Sequence, residues 1–304
     1  ELKSGANHAG VEKNNSDSKG TLTIKDDTGE KGSLTATGGA QGAGIGGAKN
    51  NSGSNIEITG GTITATGGCN NNEAGNGGAA GIGGGFNGSG TDIKITGGNV
   101  TANGSQKPDG TSGCQGAGIG GGYGKGGTNI SISGEDTVVN ANGGKYGAGI
   151  GGGAMGAGEN ITISDGAHVT ANGGAQGAGI GGGLYGKGEV TISGGDVTAH
   201  GGHTAAGIGG GFRGSGDVTI LGGTVTAIPA EGSNSNVTGI GGGFGCDEKS
   251  TVRILGGVVD AVGNGCGSGI GGGEGGVEVE IGGGAQVTAK GGQGDNEFNR
   301  GPGA

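Results

Sequence analysis

Gly116-Ala117-Gly118-Ile119-Gly120-Gly121-Gly122 is a seven-residue stretch that recurs unchanged at residues 147–153 and 177–183. Close variants bring the number of copies to eight, and their central isoleucines are Ile45, Ile82, Ile119, Ile150, Ile180, Ile208, Ile240 and Ile270. Successive isoleucines lie 28 to 37 residues apart. Recurrence at this distance is typical of repeat proteins, in which each unit packs against its neighbours in a row.

Each repeat also contains two short runs in which apolar and polar residues alternate, such as Ile161-Thr162-Ile163 and Val169-Thr170-Ala171. Side chains alternate between the two faces of a strand, so the isoleucine, valine and alanine positions point inward and the Thr, Ser and Asn positions point outward. Coils stacked about 4.8 Å apart would share one narrow core. The sequence therefore predicts an all-β fold, a single-stranded parallel β-helix (β-solenoid) of about eight to nine coils with three short strands per coil.

The prediction divides the chain into three parts. Residues 1–20 are expected to form an N-terminal segment or cap, residues 21–290 the β-helix domain, and residues 291–304 a flexible C-terminal tail or linker. Glu1 is not a start methionine, which favours a mature fragment of a secreted or cell-wall-anchored protein.

Composition excludes several classes of protein. The 304 residues include 95 Gly and only three Pro, without the Gly-X-Y period of collagen. Alternating apolar runs at fixed offsets argue against disorder. The net charge of −10 disfavours nucleic acid and anionic membranes as partners. No apolar run approaches the roughly 18 residues of a membrane-spanning helix, so direct membrane insertion is not expected.

Two further features concern the residues that follow each central isoleucine and the positions of long insertions. Residues four positions after the central isoleucines are expected to form an internal column, with charged residues only at its ends, at Lys49, Phe86, Tyr123, Ala154, Leu184, Phe212, Phe244 and Glu274. Long insertions gather at one corner, around residues 69–81 and 104–115. Solenoids commonly build binding surfaces from such insertions.

The four cysteines suggest two disulfides. Cys69 and Cys114 lie in the two insertions on adjacent coils, so a bond between them is plausible, and Cys246 and Cys266 could make a second. The alternative is buried free thiols. A metal site is less favoured, since there is no Cys-x-x-Cys motif and no nearby His. Disulfides would place the protein outside the cytoplasm.

Two surfaces could bind a flat partner. Eight glycine segments could expose a strip of bare backbone, although the alternative is that Gly is needed there for steric reasons. The outward columns of the third strand, together with an exposed tyrosine, supply the ligand-binding candidates, which are Thr64, Thr66, Thr101, Asn103, Asn142, Thr170, Asn172 and Tyr185. An ordinary solvated strand surface is the alternative, and a Thr-x-Thr ladder also resembles ice-binding solenoids.

Carboxylates at the turn between the second and third strands are the candidates for catalysis. Asp136, Asp165 and Asp196 occupy this turn in three consecutive repeats, and side chains on neighbouring coils would be close enough for a retaining glycosidase pair or a lyase. Glu135, Asp136 and Asp165 could instead bind Ca²⁺, the one cofactor that the sequence leaves open. Acidic residues are also ordinary turn residues.

Runs such as Val190-Thr191-Ile192-Ser193-Gly194-Gly195 and Val-Thr-Ala-Asn-Gly-Gly at residues 169–174, with the seven-residue stretch above, resemble the glycine-rich repeats of secreted and wall-anchored proteins of Gram-positive bacteria. The resemblance covers roughly residues 20–290. It implies a right-handed parallel β-helix, similar to pectate lyases and carbohydrate-binding β-helix adhesins. The catalytic Arg and the clustered Ca²⁺ aspartates of the lyases do not map onto this chain.

Two functions follow as hypotheses. The first is a non-catalytic extracellular module, an adhesin or stalk, that binds a polysaccharide or a host glycoprotein. The second is a carbohydrate-active enzyme that uses the carboxylates, and ice binding is a third possibility. Exposed solenoid ends and the glycine strip would also leave room for lateral self-association.

Overall fold

The structure is a computed structural model that describes residues 1–15, 19–26, 32–70, 77–105, 114–230 and 235–293. The chain winds into a parallel β-solenoid with three strands in a complete coil. In the described part of the chain, the first strands of the coils form a nine-stranded sheet, and the second and third strands form a 17-stranded sheet. The predicted all-β parallel solenoid of about eight to nine coils is confirmed.

The first strands are two residues long, and they are Val11–Glu12, Ile45–Gly46, Ile82–Gly83, Ile119–Gly120, Ile150–Gly151, Ile180–Gly181, Ile208–Gly209, Ile240–Gly241 and Ile270–Gly271. The separate second strands are Leu22–Ile24, Gly127–Ile132, Gly158–Ile163, Gly188–Ile192, Gly216–Ile220, Ser250–Ile254 and Val277–Ile281. The separate third strands are Leu2–Lys3, Ser33–Thr37, Thr137–Asn142, His168–Asn172, Asp196–Gly201, Thr224–Pro229, Val258–Val262 and Gln286–Lys290.

In two coils the second and third strands form one continuous strand, Gly53–Thr66 and Gly90–Asn103. Both bend at a Gly-Gly pair whose second glycine, Gly61 or Gly98, has φ near +90°. Only glycine adopts this conformation without strain, so the pair marks the corner between the strands. The one helix in the described part of the chain is a single 3-10 turn, Gly273–Gly275.

The core is one column of stacked aliphatic side chains that runs the length of the solenoid. Within each interior coil it takes the central isoleucine, the Ile-x-Ile pair and the Val-x-Ala pair, so that Ile150, Ile161, Ile163, Val169 and Ala171 are all buried. Register pairing places identical or similar residues on top of one another, as Ile150 lies between Ile119 and Ile180 in the first-strand sheet. The predicted alternation therefore holds for the second and third strands.

The N-terminal residues add strands to the two sheets that the repeats form. Leu2–Lys3 pairs with Ser33–Thr37, and Val11–Glu12 pairs with Ile45–Gly46. The segment predicted as an N-terminal segment or cap thus contributes strands to the first coil. Of the predicted tail, only residues 291–293 belong to the described part of the chain, and residues 294–304 lie outside it.

Each central isoleucine lies at the tip of a tight loop. A backbone hydrogen bond closes this loop, for example from the N–H of Ala117 to the carbonyl of Gly121 at 2.8 Å. The two corners that flank the loop are then joined between coils. The N–H of Leu184 donates to the carbonyl of Tyr146 at 2.9 Å, and the same bond recurs from Phe86 to Gln41, Tyr123 to Gly78, Ala154 to Gln115, Phe212 to Gln176 and Phe244 to Thr204. We call this row of joined corners the seam.

The seam corrects two predictions. The glycine strip is not an exposed surface, because the glycines beside each central isoleucine, such as Gly118 and Gly120, are buried beneath the joined corners. The steric alternative is the one observed: a Cβ at Gly120 would overlap the carbonyl of Gly151 in the next coil. The predicted internal column, which includes Phe86 and Phe212, does not form part of the aliphatic core either. Its aromatic residues are half-buried along the seam, and of its members only the small Ala154 is fully buried.

Candidate functional site

The third-strand face gathers seven of the eight predicted ligand-binding residues. Strand register aligns the inner column from Thr64 through Thr101 and Asn140 to Thr170. It aligns the outer column from Thr66 through Asn103 and Asn142 to Asn172, His200 and Ile228. The seven candidates are half-buried, with their polar ends on the outer face of the strand. They form two parallel rows, and within each row the residues of successive coils are about 4.8 Å apart.

The outer column is a hydrogen-bonded chain of carboxamides. The side-chain N–H of Asn172 donates to Oδ1 of Asn142 at 2.8 Å, Asn142 donates to Asn103 at 2.9 Å, and Asn103 donates to Oγ1 of Thr66 at 3.5 Å. Each carboxamide has two donor hydrogens and two acceptor lone pairs. The chain uses one donor and one acceptor of Asn142, so a second donor and a second acceptor remain available on a side chain whose orientation is fixed.

A second carboxamide ladder was missed by the sequence reasoning. It precedes the Ile-x-Ile pairs, where Asn160 donates to Asn129 at 2.8 Å and Asn129 donates to Asp92 at 2.9 Å. These residues and Asn55 have φ between +49° and +55°, a region that Asn and Asp tolerate better than most residues. The recurring Asn or Asp immediately before the first isoleucine was the available signal. This ladder borders an open pocket that is also lined by Glu57, Lys94 and Ser131.

The carboxylates do not form the ladder that the sequence predicted. Strand register pairs Asp196 with His168, which in turn pairs with Val138, so Asp136 and Asp165 fall at other positions. The reason is that the number of residues between the second strand and this paired position falls by one per coil. Residues 133–137 precede Val138, residues 164–167 precede His168, and residues 193–195 precede Asp196. The three candidate catalytic residues are exposed and out of line.

Their contacts are local. Ser164 Oγ donates to Asp165 Oδ2 at 2.9 Å, and Asp196 Oδ2 lies 3.8 Å from His168 Nδ1. Among the described residues, no group of three or more His, Cys, Asp or Glu side chains is placed to hold a metal ion. Glu135, Asp136 and Asp165 are exposed, and Ca²⁺ binding, which needs several oxygens at one point, stays a prediction.

Tyr185 lies apart from the other ligand-binding candidates. It stands on the seam with φ of +60° and is 54% exposed, and its ring is 5.8 Å from that of Phe212. The corresponding corner positions of other coils hold Asn50 and Asn87 with the same φ. The left-handed conformation at this corner turns the Tyr185 side chain into solvent.

The cysteines form one disulfide. Cys69 and Cys114 are bonded, with Cα atoms 5.7 Å apart, because both occupy the corner that follows the third strand in adjacent coils. The prediction for Cys246 and Cys266 was wrong, and both carry thiols. Cys246 lies at the opposite corner, after Phe244, and its burial raises the pKa of the thiol. Of the two insertions, residues 71–76 and 106–113 lie outside the described residues.

The disulfide gives a first testable prediction. Replacing both Cys69 and Cys114 by Ser should lower the free energy of unfolding by about 2–4 kcal/mol, because the bond closes a loop in the unfolded chain. For a domain of this size the melting temperature should fall by roughly 5–10 °C, measured by circular dichroism. Reductant should shift the parent by the same amount and leave the double variant unchanged. Equal melting of parent and variant without reductant would contradict the prediction.

Among the described residues, no helix is long and apolar enough to cross a membrane. The family described as Beta helix repeat matches six stretches of the chain, residues 29–49, 93–123, 130–154, 161–184, 190–212 and 252–274. No curated protein and no solved structure is detectably similar to the chain. The repeat pattern, the strand register and the family match all support a β-helix repeat architecture for this chain.

Proposed function

We propose that this protein is a non-catalytic extracellular surface module, an adhesin or stalk, that binds carbohydrate along its third-strand face. The observation that carries the proposal is the carboxamide chain through Asn172, Asn142 and Asn103. It presents donors and acceptors in fixed directions at a regular spacing. The neighbouring row of threonine hydroxyls has the same spacing.

Sugar chemistry fits such a face. Each sugar hydroxyl is at once a donor and an acceptor, and Asn and Thr side chains offer both functions. A face whose side chains are already held by one another loses little conformational entropy when a ligand binds. The wide, open array suits an extended polymer or the glycan of a host glycoprotein better than a small enclosed ligand.

An extracellular location is part of the proposal. It is supported by the Cys69–Cys114 disulfide, since such bonds persist in oxidising compartments and are rare in the cytosol. Secretion or attachment to a cell wall would place the third-strand face where glycans are found.

The test is a glycan-array experiment with the intact chain, with and without Ca²⁺, in which bound glycans and released products are read together. A double variant, Asn142→Ala with Thr170→Val, should bind the retained glycan at least about tenfold more weakly, because two or more hydrogen bonds are lost. The matched control is Thr162→Val. Thr162 is a half-buried, outward-facing residue on the second strand of the coil that contains Thr170. It should bind like the parent.

Other outcomes would count against the proposal. Released products that disappear in an Asp165→Asn variant would favour a carbohydrate-active enzyme. Binding that survives in the double variant would remove the third-strand face as the site. Inhibition of ice growth without glycan binding would favour the ice-binding alternative.

A further inference from the structure

Charge is segregated in the middle coils of this acidic protein. Between residues 114 and 230, the four cationic side chains are Lys125, Lys145, Lys187 and Arg213, and all four lie in the segments that connect the first strands to the neighbouring strands. The carboxylates of the same stretch lie on the second strands, at the following turn or at the start of a third strand, at Glu135, Asp136, Glu159, Asp165, Glu189, Asp196 and Asp217. A chain of net charge −10 thus has a local basic strip.

Three of these cations, Lys125, Lys145 and Arg213, are not paired with a carboxylate in the described part of the chain. Lys187 forms an ion pair with Asp217, and its hydrogen bond to that carboxylate raises the pKa of Lys187. Lys145 and Arg213 take part in none of the ion pairs of the described chain. Instead, Lys145 Nζ lies 5.0 Å from the centre of the Tyr146 ring, and the Arg213 guanidinium lies 5.3 Å from that of Phe212.

The rings and the cations form one contiguous patch. Tyr146 is joined to Leu184 by a 2.9 Å backbone hydrogen bond across the seam, Tyr185 follows, and its ring is 5.8 Å from that of Phe212. Met155 lies next to Leu184, because its backbone N–H donates to the carbonyl of Leu184 at 2.7 Å. Its side chain is 48% exposed. We call Lys145, Tyr146, Met155, Tyr185, Phe212 and Arg213 the seam patch.

We propose that the seam patch is a second binding site, which takes an anionic sugar. An exposed aromatic ring such as Tyr185 offers an apolar face to a sugar ring. Lys145 and Arg213 supply charge-assisted donors for a carboxylate or sulfate on the same sugar. This site is on a different surface from the third-strand face and does not depend on that face binding anything.

Two features favour a short anionic sugar over a nucleic acid. The patch holds only two unneutralised cations, whereas nucleic-acid binding relies on many phosphate contacts. It also ends where Asp247 and Glu248 follow Phe244, so a long polyanion would meet carboxylates and the overall negative charge.

The experiment measures binding of the intact chain to matched glycan pairs, in which each sulfated, uronate-containing or sialylated glycan is compared with its neutral counterpart. The parent should prefer at least one anionic member at least about tenfold, and the preference should weaken as salt is raised. Arg213→Asn and Tyr185→Asn should each reduce that binding about tenfold or more. Asn suits these corners, as Asn50 and Asn87 occupy equivalent ones at φ of +60° and +59°.

Controls separate this site from the one proposed above. Arg253→Gln removes the same charge from an exposed second-strand residue that pairs with Glu280, and it should bind anionic glycans like the parent. The variant Asn142→Ala with Thr170→Val should also keep the anionic preference. The inference is overturned if no anionic glycan is preferred, if the preference survives Lys145→Gln combined with Arg213→Asn, or if an oligothymidylate binds the patch more tightly than the glycans.

Discussion

Replacing Val139 by Asp should unfold the middle coils, whereas the same replacement at the adjacent Val138 should leave them folded. Val139 is 1% exposed and Val138 is 42% exposed, because neighbouring side chains of one strand point to opposite faces. Above and below Val139, strand register places Val100 and Val169, both buried. An aspartate at Val139 would find neither a hydrogen-bond donor nor a cation there.

The expected cost at Val139 is about 4 kcal/mol or more, which combines the loss of apolar burial with a buried polar group that has no partner. Whole domains are stable by only about 5–15 kcal/mol. Thermal melts followed by circular dichroism should show a large loss of stability for Val139→Asp and a change of a few degrees at most for Val138→Asp. Similar melting of the two variants would show that Val139 does not face the core, and Ile150→Asp offers an independent check at the first strand.

Replacing Gly151 by Ala should destabilise the solenoid nearly as much, although it adds a single methyl group. The φ of Gly151 is +130°, and a Cβ there would overlap the carbonyl oxygen of Gly181 in the next coil. Since the obstacle is backbone, relief requires two coils to separate and their hydrogen bonds to lengthen. The conformational and steric costs together should reach about 3 kcal/mol or more, equivalent to roughly 10 °C in melting temperature.

The matched control for this prediction is Gly124→Ala. Gly124 also has a positive φ, of +76°, but the only atom within 4 Å of its added Cβ would be the side-chain oxygen of Asn87, at 3.5 Å. The difference in melting temperature between the two variants therefore isolates the close approach between coils. If Gly151→Ala melts no lower than Gly124→Ala, the tight stacking of the first strands is refuted.

The strands were predictable because their signals are local and repeated. Ile161-Thr162-Ile163 and Val169-Thr170-Ala171 alternate strictly, and stacking of equal units preserves that alternation from coil to coil. The position of Phe86 was not predictable in the same way. Counting alternate positions from Ile82 fails at Gly83, whose φ of +128° breaks the extended conformation. The chain then turns outward, and Phe86 lies at the seam.

The candidate sites were predictable to different degrees. The third-strand columns followed directly from strand alternation, so Thr64, Asn103 and Asn172 lie where expected. The carboxylates depended on connector length, and the shortening before His168 and Asp196 moves them out of line. The seam patch combines corners that are distant in sequence, such as Tyr146 and Tyr185. Their contact depends on the pairing of corners between coils, which no local pattern reveals.

The Cys69–Cys114 disulfide has a mechanical consequence. Force applied to the N-terminus would peel the solenoid strand by strand, since each end coil is held only by its single neighbour. The covalent bond joins the corners of two adjacent coils, so a load that reaches Cys69 would pass through the disulfide directly to Cys114. The chain between the two cysteines, including the strand Gly90–Asn103, would thus be bypassed and shielded from tension at that terminus. The Asn142–Asn172 ladder and the seam patch lie beyond Cys114 and would bear the tension next.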